Sequence, residues 1–64
     1  MNGYKVYSPK EFERLLKNNG YNYSHNNGSH KIWVKQNCHH ISVPYSANPM
    51  VLRRLIKENN LKAN

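Results

Sequence analysis

Four consecutive residues, Asn27-Gly28-Ser29-His30, put an imidazole directly behind a turn dipeptide. Asn-Gly between two runs of alternating apolar residues is a strong hairpin signal, so His30 is expected at a fixed point just past the turn. An imidazole with an unperturbed pKa of about 6.5 can take a proton from a hydroxyl, or return one to a departing oxygen, near neutral pH. The surrounding chain carries ten Lys and Arg against three acids, a formal charge of +7. That excess selects nucleic acid, anionic lipid or an acidic protein as partner. General acid–base chemistry on a polyanion, RNA first, is what these residues suggest, with His30 as the catalytic group.

Other side chains are candidates for holding that polyanion. With Asn27-Gly28 as a two-residue turn, His25 faces His30 at about 5 Å. It is then a phosphate ligand, a complementary acid, or a cross-strand neighbour with no task. Ser29 offers a hydroxyl and a backbone N–H to phosphate. Lys10, Arg14 and Lys17 share one helix face, and Arg53 and Lys57 are spaced i,i+4 on a second helix. Trp33 is expected on the solvent face beside Lys31 and Lys35, placed to stack a base; the alternative is a local bulge that turns it into the core. The four histidines and Cys38 show no zinc spacing. His39 and His40 point to opposite faces, and His30 lies about 10 Å along the strand from them. Neither a metal nor another cofactor is expected.

The elements that must position these groups are legible from local signals. Ser8-Pro9-Lys10-Glu11 reads as a capping box with proline at the first helical position. Phe12, Leu15 and Leu16 form the buried stripe, Glu13 and Lys17 an i,i+4 pair, and Gly20 the helix exit. Met1 to Tyr7 is a short lead. Three strands follow. The Asn27-Gly28 turn pairs Asn26 with Ser29, Tyr23 with Ile32 and Tyr21 with Val34. A second turn at Gln36-Asn37 pairs Lys35 with Cys38, Val34 with His39, Ile32 with Ile41 and His30 with Val43. One face then collects Tyr21, Tyr23, Ile32, Val34, Ile41 and Val43 as the core. The other, with Lys31, Trp33, Lys35, His40 and Ser42, is mostly wet. Pro44 closes the third strand. Asn48-Pro49 opens a second helix with Leu52, Leu55 and Ile56 as its stripe, and Asn60 and Leu61 form its exit. The expected fold is α+β, in the order α-β-β-β-α, with two helices packed on one face of a three-stranded antiparallel sheet.

Sixty-four residues make one domain, residues 1–64, burying about 60% of its unfolded surface. Cys38 has no partner for an internal disulfide, which favours a reducing compartment. The longest uninterrupted apolar run is three residues, so neither a membrane span nor a signal peptide is expected, and a cytoplasmic location is.

This pattern resembles the HicA family of small bacterial toxins. The residues that carry the likeness are Leu15-Leu16-Lys17-Asn18-Asn19-Gly20-Tyr21, then Gly28-Ser29-His30, then Val43-Pro44, then Leu52-Arg53-Arg54-Leu55-Ile56-Lys57, together spanning roughly residues 8 to 62. The resemblance implies a double-stranded-RNA-binding-domain-like fold and a ribosome-independent, metal-independent mRNA interferase of a type II toxin–antitoxin pair. It also implies His30 as the functional histidine and an acidic HicB-type antitoxin as protein partner. Family members usually carry an arginine five residues before that histidine, where this chain has His25. The link after Val-Pro is shorter here and reads Tyr45-Ser46-Ala47-Asn48, and Met50-Val51 replaces a Gly-Thr helix opening. A non-catalytic RNA-binding module of the same fold is the alternative. A DNA-binding role is not favoured, because no helix-turn-helix spacing appears.

Overall fold

The computed structural model describes residues 7–62. The expected N-terminal lead lies outside them up to residue 6, and Tyr7 is half-buried against the core. The order is α1 (Pro9–Asn18), β1 (Asn22–Asn27), β2 (His30–Val34), β3 (Ile41–Pro44) and α2 (Pro49–Glu58). The strands form one antiparallel sheet in the order β1-β2-β3.

Both helices begin and end where their local chemistry directs. The Ser8 hydroxyl accepts from Glu11 N–H at 3.2 Å, and the Glu11 carboxylate accepts from Ser8 N–H at 3.0 Å. Asn48 caps α2 by accepting from Val51 N–H at 2.9 Å. Each helix leaves through a Schellman turn. After α1, Gly20 N–H donates to Lys17 and Tyr21 N–H to Leu16; after α2, Asn60 N–H donates to Lys57 and Leu61 N–H to Ile56. Gly20 sits at φ +91° and Asn60 at +53°, the left-handed region that costs a side-chain-bearing residue about 1–2 kcal/mol. A Cβ on Gly20 would also meet Lys35 Cε at 3.2 Å, a flexible neighbour that can yield. Gly20→Ala is therefore expected to lower unfolding stability by about 1–2 kcal/mol, read as a urea-midpoint shift at unchanged m-value.

The sheet departs from the expected register in both hairpins: partners in the first move by two residues up to a bulge and by one beyond it, and partners in the second move by one. In the first, the turn is Gly28-Ser29, not Asn27-Gly28: Asn27 pairs with His30, Asn26 with Lys31 and His25 with Ile32. A turn centred on Asn27-Gly28 would need positive φ at both residues. Here only Gly28 takes it, at +62°, while Asn27 stays extended in β1. Positive φ at the first central residue alone is the II′ pattern, which glycine adopts without cost. Ser24 is then a bulge, since Tyr23 pairs with Trp33 although His25 pairs with Ile32. In the second hairpin Gln36-Asn37 is the turn, closed by Cys38 N–H donating to Lys35 at 3.1 Å. Its positive φ falls on Asn37, the second central residue, a geometry that splays the strands leaving it. Pairing resumes only at Trp33 with Ile41, followed by Ile32 with Ser42, Lys31 with Val43 and His30 with Pro44.

These shifts exchange the faces of β2. Trp33 is 2% exposed and packs with Ile41, Val43, Phe12, Leu15, Leu16 and Leu52 beneath both helices. Tyr23 and Val34, expected in the core, are exposed, and Val34 and Ile32 lie on the face that the helices leave uncovered. Ile32 remains buried there, apart from the main core. The chain's C-terminal segment closes the structure: Leu61 is buried in the core, Asn19 Nδ2 donates to Lys62 O at 3.0 Å, and Lys62 N–H donates to Asn19 Oδ1 at 2.8 Å.

Candidate functional site

His30 opens β2 immediately after the Gly28-Ser29 turn and is half-buried. Strand alternation places it on the helix-free face, with Ile32 and Val34. It was expected at the end of the core face; the one-residue shift of the second hairpin and the bulge at Ser24 in the first move it across the sheet. His25 shares its face, but opposite Ile32 rather than opposite His30. The two imidazoles are thus diagonal neighbours, with backbone positions about 7–8 Å apart, and not the directly facing pair the expected register made. Ser24 Oγ lies 2.8 Å from His25 Nδ1, which ties that ring to the bulge. Ser29 is exposed at the turn, and its carbonyl accepts from Tyr45 N–H at 3.0 Å, anchoring the turn to the chain just beyond β3.

The remaining candidates lie elsewhere. Lys10, Arg14 and Lys17 are exposed on α1. Lys31 and Trp33, expected on the wet face, point to the helix side. Lys31 Nζ donates to Glu13 Oε2 at 2.9 Å and sits 5.6 Å from the centre of the Tyr45 ring. Glu13 therefore pairs across 18 residues with β2 rather than with Lys17 along its own helix. That bond first, and the carboxylate's charge second, lift the Lys31 ammonium above the ordinary lysine pKa. Both side chains are about one-third exposed, so the pair contributes only about 0–1 kcal/mol to stability.

Trp33 cannot stack a base in the open as expected, because it is core. Its ring meets Tyr23 edge-on at 5.7 Å and 68°. Its indole Nε1 is buried without an acceptor among the described residues, an arrangement that costs about 1–3 kcal/mol. Beside it two hollows adjoin. One is an apolar cavity of about 50 Å³ between Phe12, Val43, Ala47 and Leu52. The other is an open groove of about 390 Å³ lined by Glu13, Lys17, Tyr23, Asn26, Lys31, Trp33 and Tyr45. Sequence reasoning missed this groove, whose parts come from α1, β1, β2 and the segment after β3. The available hint was Glu13 itself, an acid set between Lys10, Arg14 and Lys17.

Away from the groove, burial raises the Tyr21 phenol pKa, with the electrostatic influence of Cys38 adding to it. Lys35 Nζ lies 5.5 Å from the Tyr21 ring centre. Among the described residues no three His, Cys, Asp or Glu side chains gather as metal ligands, and no helix is long and apolar enough to cross a membrane.

No curated protein and no solved structure matches the chain. A family model does: the one described as HicA toxin of bacterial toxin–antitoxin matches residues 9–62, from the first residue of α1 to the clamp that ties residue 62 to Asn19. That span takes in both helices, all three strands and the turn that presents His30, and the chain belongs to the HicA toxin family of bacterial toxin–antitoxin systems.

Proposed function

We propose that this toxin is an endoribonuclease acting on mRNA without metal or ribosome, with His30 as its acid–base residue. The observation that carries the reading is the position of His30: first residue of β2, behind a II′ turn, on the sheet face free of helices. There an imidazole accepts the ribose 2′-hydroxyl proton as that oxygen attacks the adjacent phosphorus. The P–O5′ bond breaks, the leaving oxygen takes up a proton, and a 2′,3′-cyclic phosphate remains. His25, on the same face, supports the reading as a phosphate ligand when protonated, and Ser29 as a hydroxyl and N–H donor at the turn. Lys10, Arg14 and Lys17 hold the backbone of the strand further along, on α1. A partner that neutralises such a toxin would be an acidic protein of the HicB type, since carboxylates match this surface and hasten encounter.

Purified chain incubated with RNA in excess chelator should yield fragments ending in 2′,3′-cyclic phosphate. Neutralising Lys10, Arg14 and Lys17 together should weaken binding and flatten its log–log salt dependence by about 0.7 per lost phosphate contact. Intact RNA bound with an unaltered end would return the chain to the non-catalytic binding module. An unchanged slope would move the RNA path to Arg53 and Lys57.

A further inference from the structure

We propose that the groove between α1 and β2 is a base-specific subsite that holds one unpaired guanine of the RNA strand, read by Glu13 and Lys31; this deepens the ribonuclease reading and rests on it for the identity of the ligand as RNA. The starting point is the placement of Glu13. The chain has three acids. Glu11 is consumed in the α1 cap, and Glu58 lies at the far end of α2. Only Glu13 stands among the exposed cations of α1, where a carboxylate repels the phosphates those cations attract. What a carboxylate can bind on a nucleic acid is the N–H edge of a base.

Glu13 Oε2 and Lys31 Nζ are 2.9 Å apart, so a strong acceptor and a strong donor stand side by side at the groove. The pair is about one-third exposed and contributes little to stability, so a ligand that supplies both partners can open or bridge it. Guanine presents on its Watson–Crick edge an acceptor, O6, followed by two donors, N1–H and N2–H. O6 can accept from Lys31 while the two donors meet the two oxygens of Glu13. Adenine, cytosine and uracil each lack two adjacent donors, so none engages both carboxylate oxygens. The walls suit a planar guest as well. Tyr23 and Tyr45 are 47% and 52% exposed, and rings presented in this way are the stacking surfaces used for unpaired bases. Trp33 lines the groove as well. The subsite also lies beside the proposed chemistry: Lys31 follows His30 in β2, and Tyr45 is hydrogen-bonded to Ser29. A strand rounding the Gly28-Ser29 turn would pass from the groove to the face that carries His30.

Trp33 is the only tryptophan in the chain and lines the groove, so its fluorescence is the one indole signal that binding there can alter. The test titrates the full chain carrying His30→Ala with 2′-O-methyl heptanucleotides in which a central G, A, C or U is flanked by three uridines on each side. The G-containing strand should bind at least tenfold more tightly than the other three and alter Trp33 emission. Adding Glu13→Gln, which replaces one acceptor oxygen with an NH₂ facing guanine's own donors, should abolish that preference while leaving a common, salt-dependent affinity. Tyr45→Leu should weaken all four strands alike, and provides a second handle should Glu13→Gln disturb the far-UV CD spectrum. Equal affinity for the four strands, or a guanine preference that survives Glu13→Gln, overturns the subsite. Cleavage by the unmodified chain separates the two readings: cutting without guanine preference removes only the subsite, and preference without cutting removes only the nuclease.

Discussion

His30→Ala is expected to slow RNA cleavage by about 100- to 10,000-fold while the domain keeps its far-UV CD spectrum and its affinity for RNA. The separation of effects follows from where the residue sits. His30 is half-buried on the sheet face that carries no helix and takes no part in the core beneath α1 and α2. Its ladder position depends on backbone atoms that alanine retains, and Gly28-Ser29 sets the turn without it. What alanine removes is a group able to exchange a proton near neutral pH, and the diagonal offset of His25 leaves no second imidazole opposite the same spot. In cells the same variant should grow where the parent arrests. A purified variant that cuts at the parental rate would remove His30 from the mechanism.

Trp33→Ala should remove a large share, up to all, of the domain's net stability. Truncating a buried tryptophan costs about 3–5 kcal/mol, and a chain of this length holds only about 0.05–0.15 kcal/mol per residue of net stability. Trp33 joins Ile41 and Val43 of β3 to Phe12, Leu15, Leu16 and Leu52 of the helices, so its loss opens the one layer that binds sheet to helices. Trp33→Phe should be far milder, because it keeps a ring in the core and deletes the buried Nε1 that has no acceptor among the described residues. Urea unfolding followed by CD distinguishes this from the wet-face placement, for which an alanine would change stability by only about 0.5 kcal/mol.

That contrast locates what local sequence can and cannot reveal here. Ser8, Glu11, Gly20, Asn48, Pro49 and Asn60 act on backbone groups within a turn of themselves, so both helices, their caps and their exits were legible. The order α-β-β-β-α and the antiparallel sheet were legible as well. The register was not, because it turned on whether Asn27 would take positive φ and on a bulge at Ser24 that no residue type announces. Ile32-Trp33-Val34 is apolar without interruption, so alternation could not say which member faces the helices. The same run decided the site. His30 behind its turn was visible, but its face was not, and the Glu13–Lys31 pair joins residues too far apart in sequence for spacing to suggest it.

The clamp between Asn19 and Lys62 bears on when this toxin comes into being during its own synthesis. Asn19 ends α1, yet both of its long-range hydrogen bonds run to the backbone of residue 62, and the adjacent Leu61 fills part of the core. The helix made first is thus sealed by residues made more than forty positions later. At about 5–20 residues per second of elongation, the residues of the His30 turn are joined seconds before those that seal the core. The residues that form the turn and the residues that make the fold rigid are separated in time, so the rigid domain exists only once residue 62 has been added.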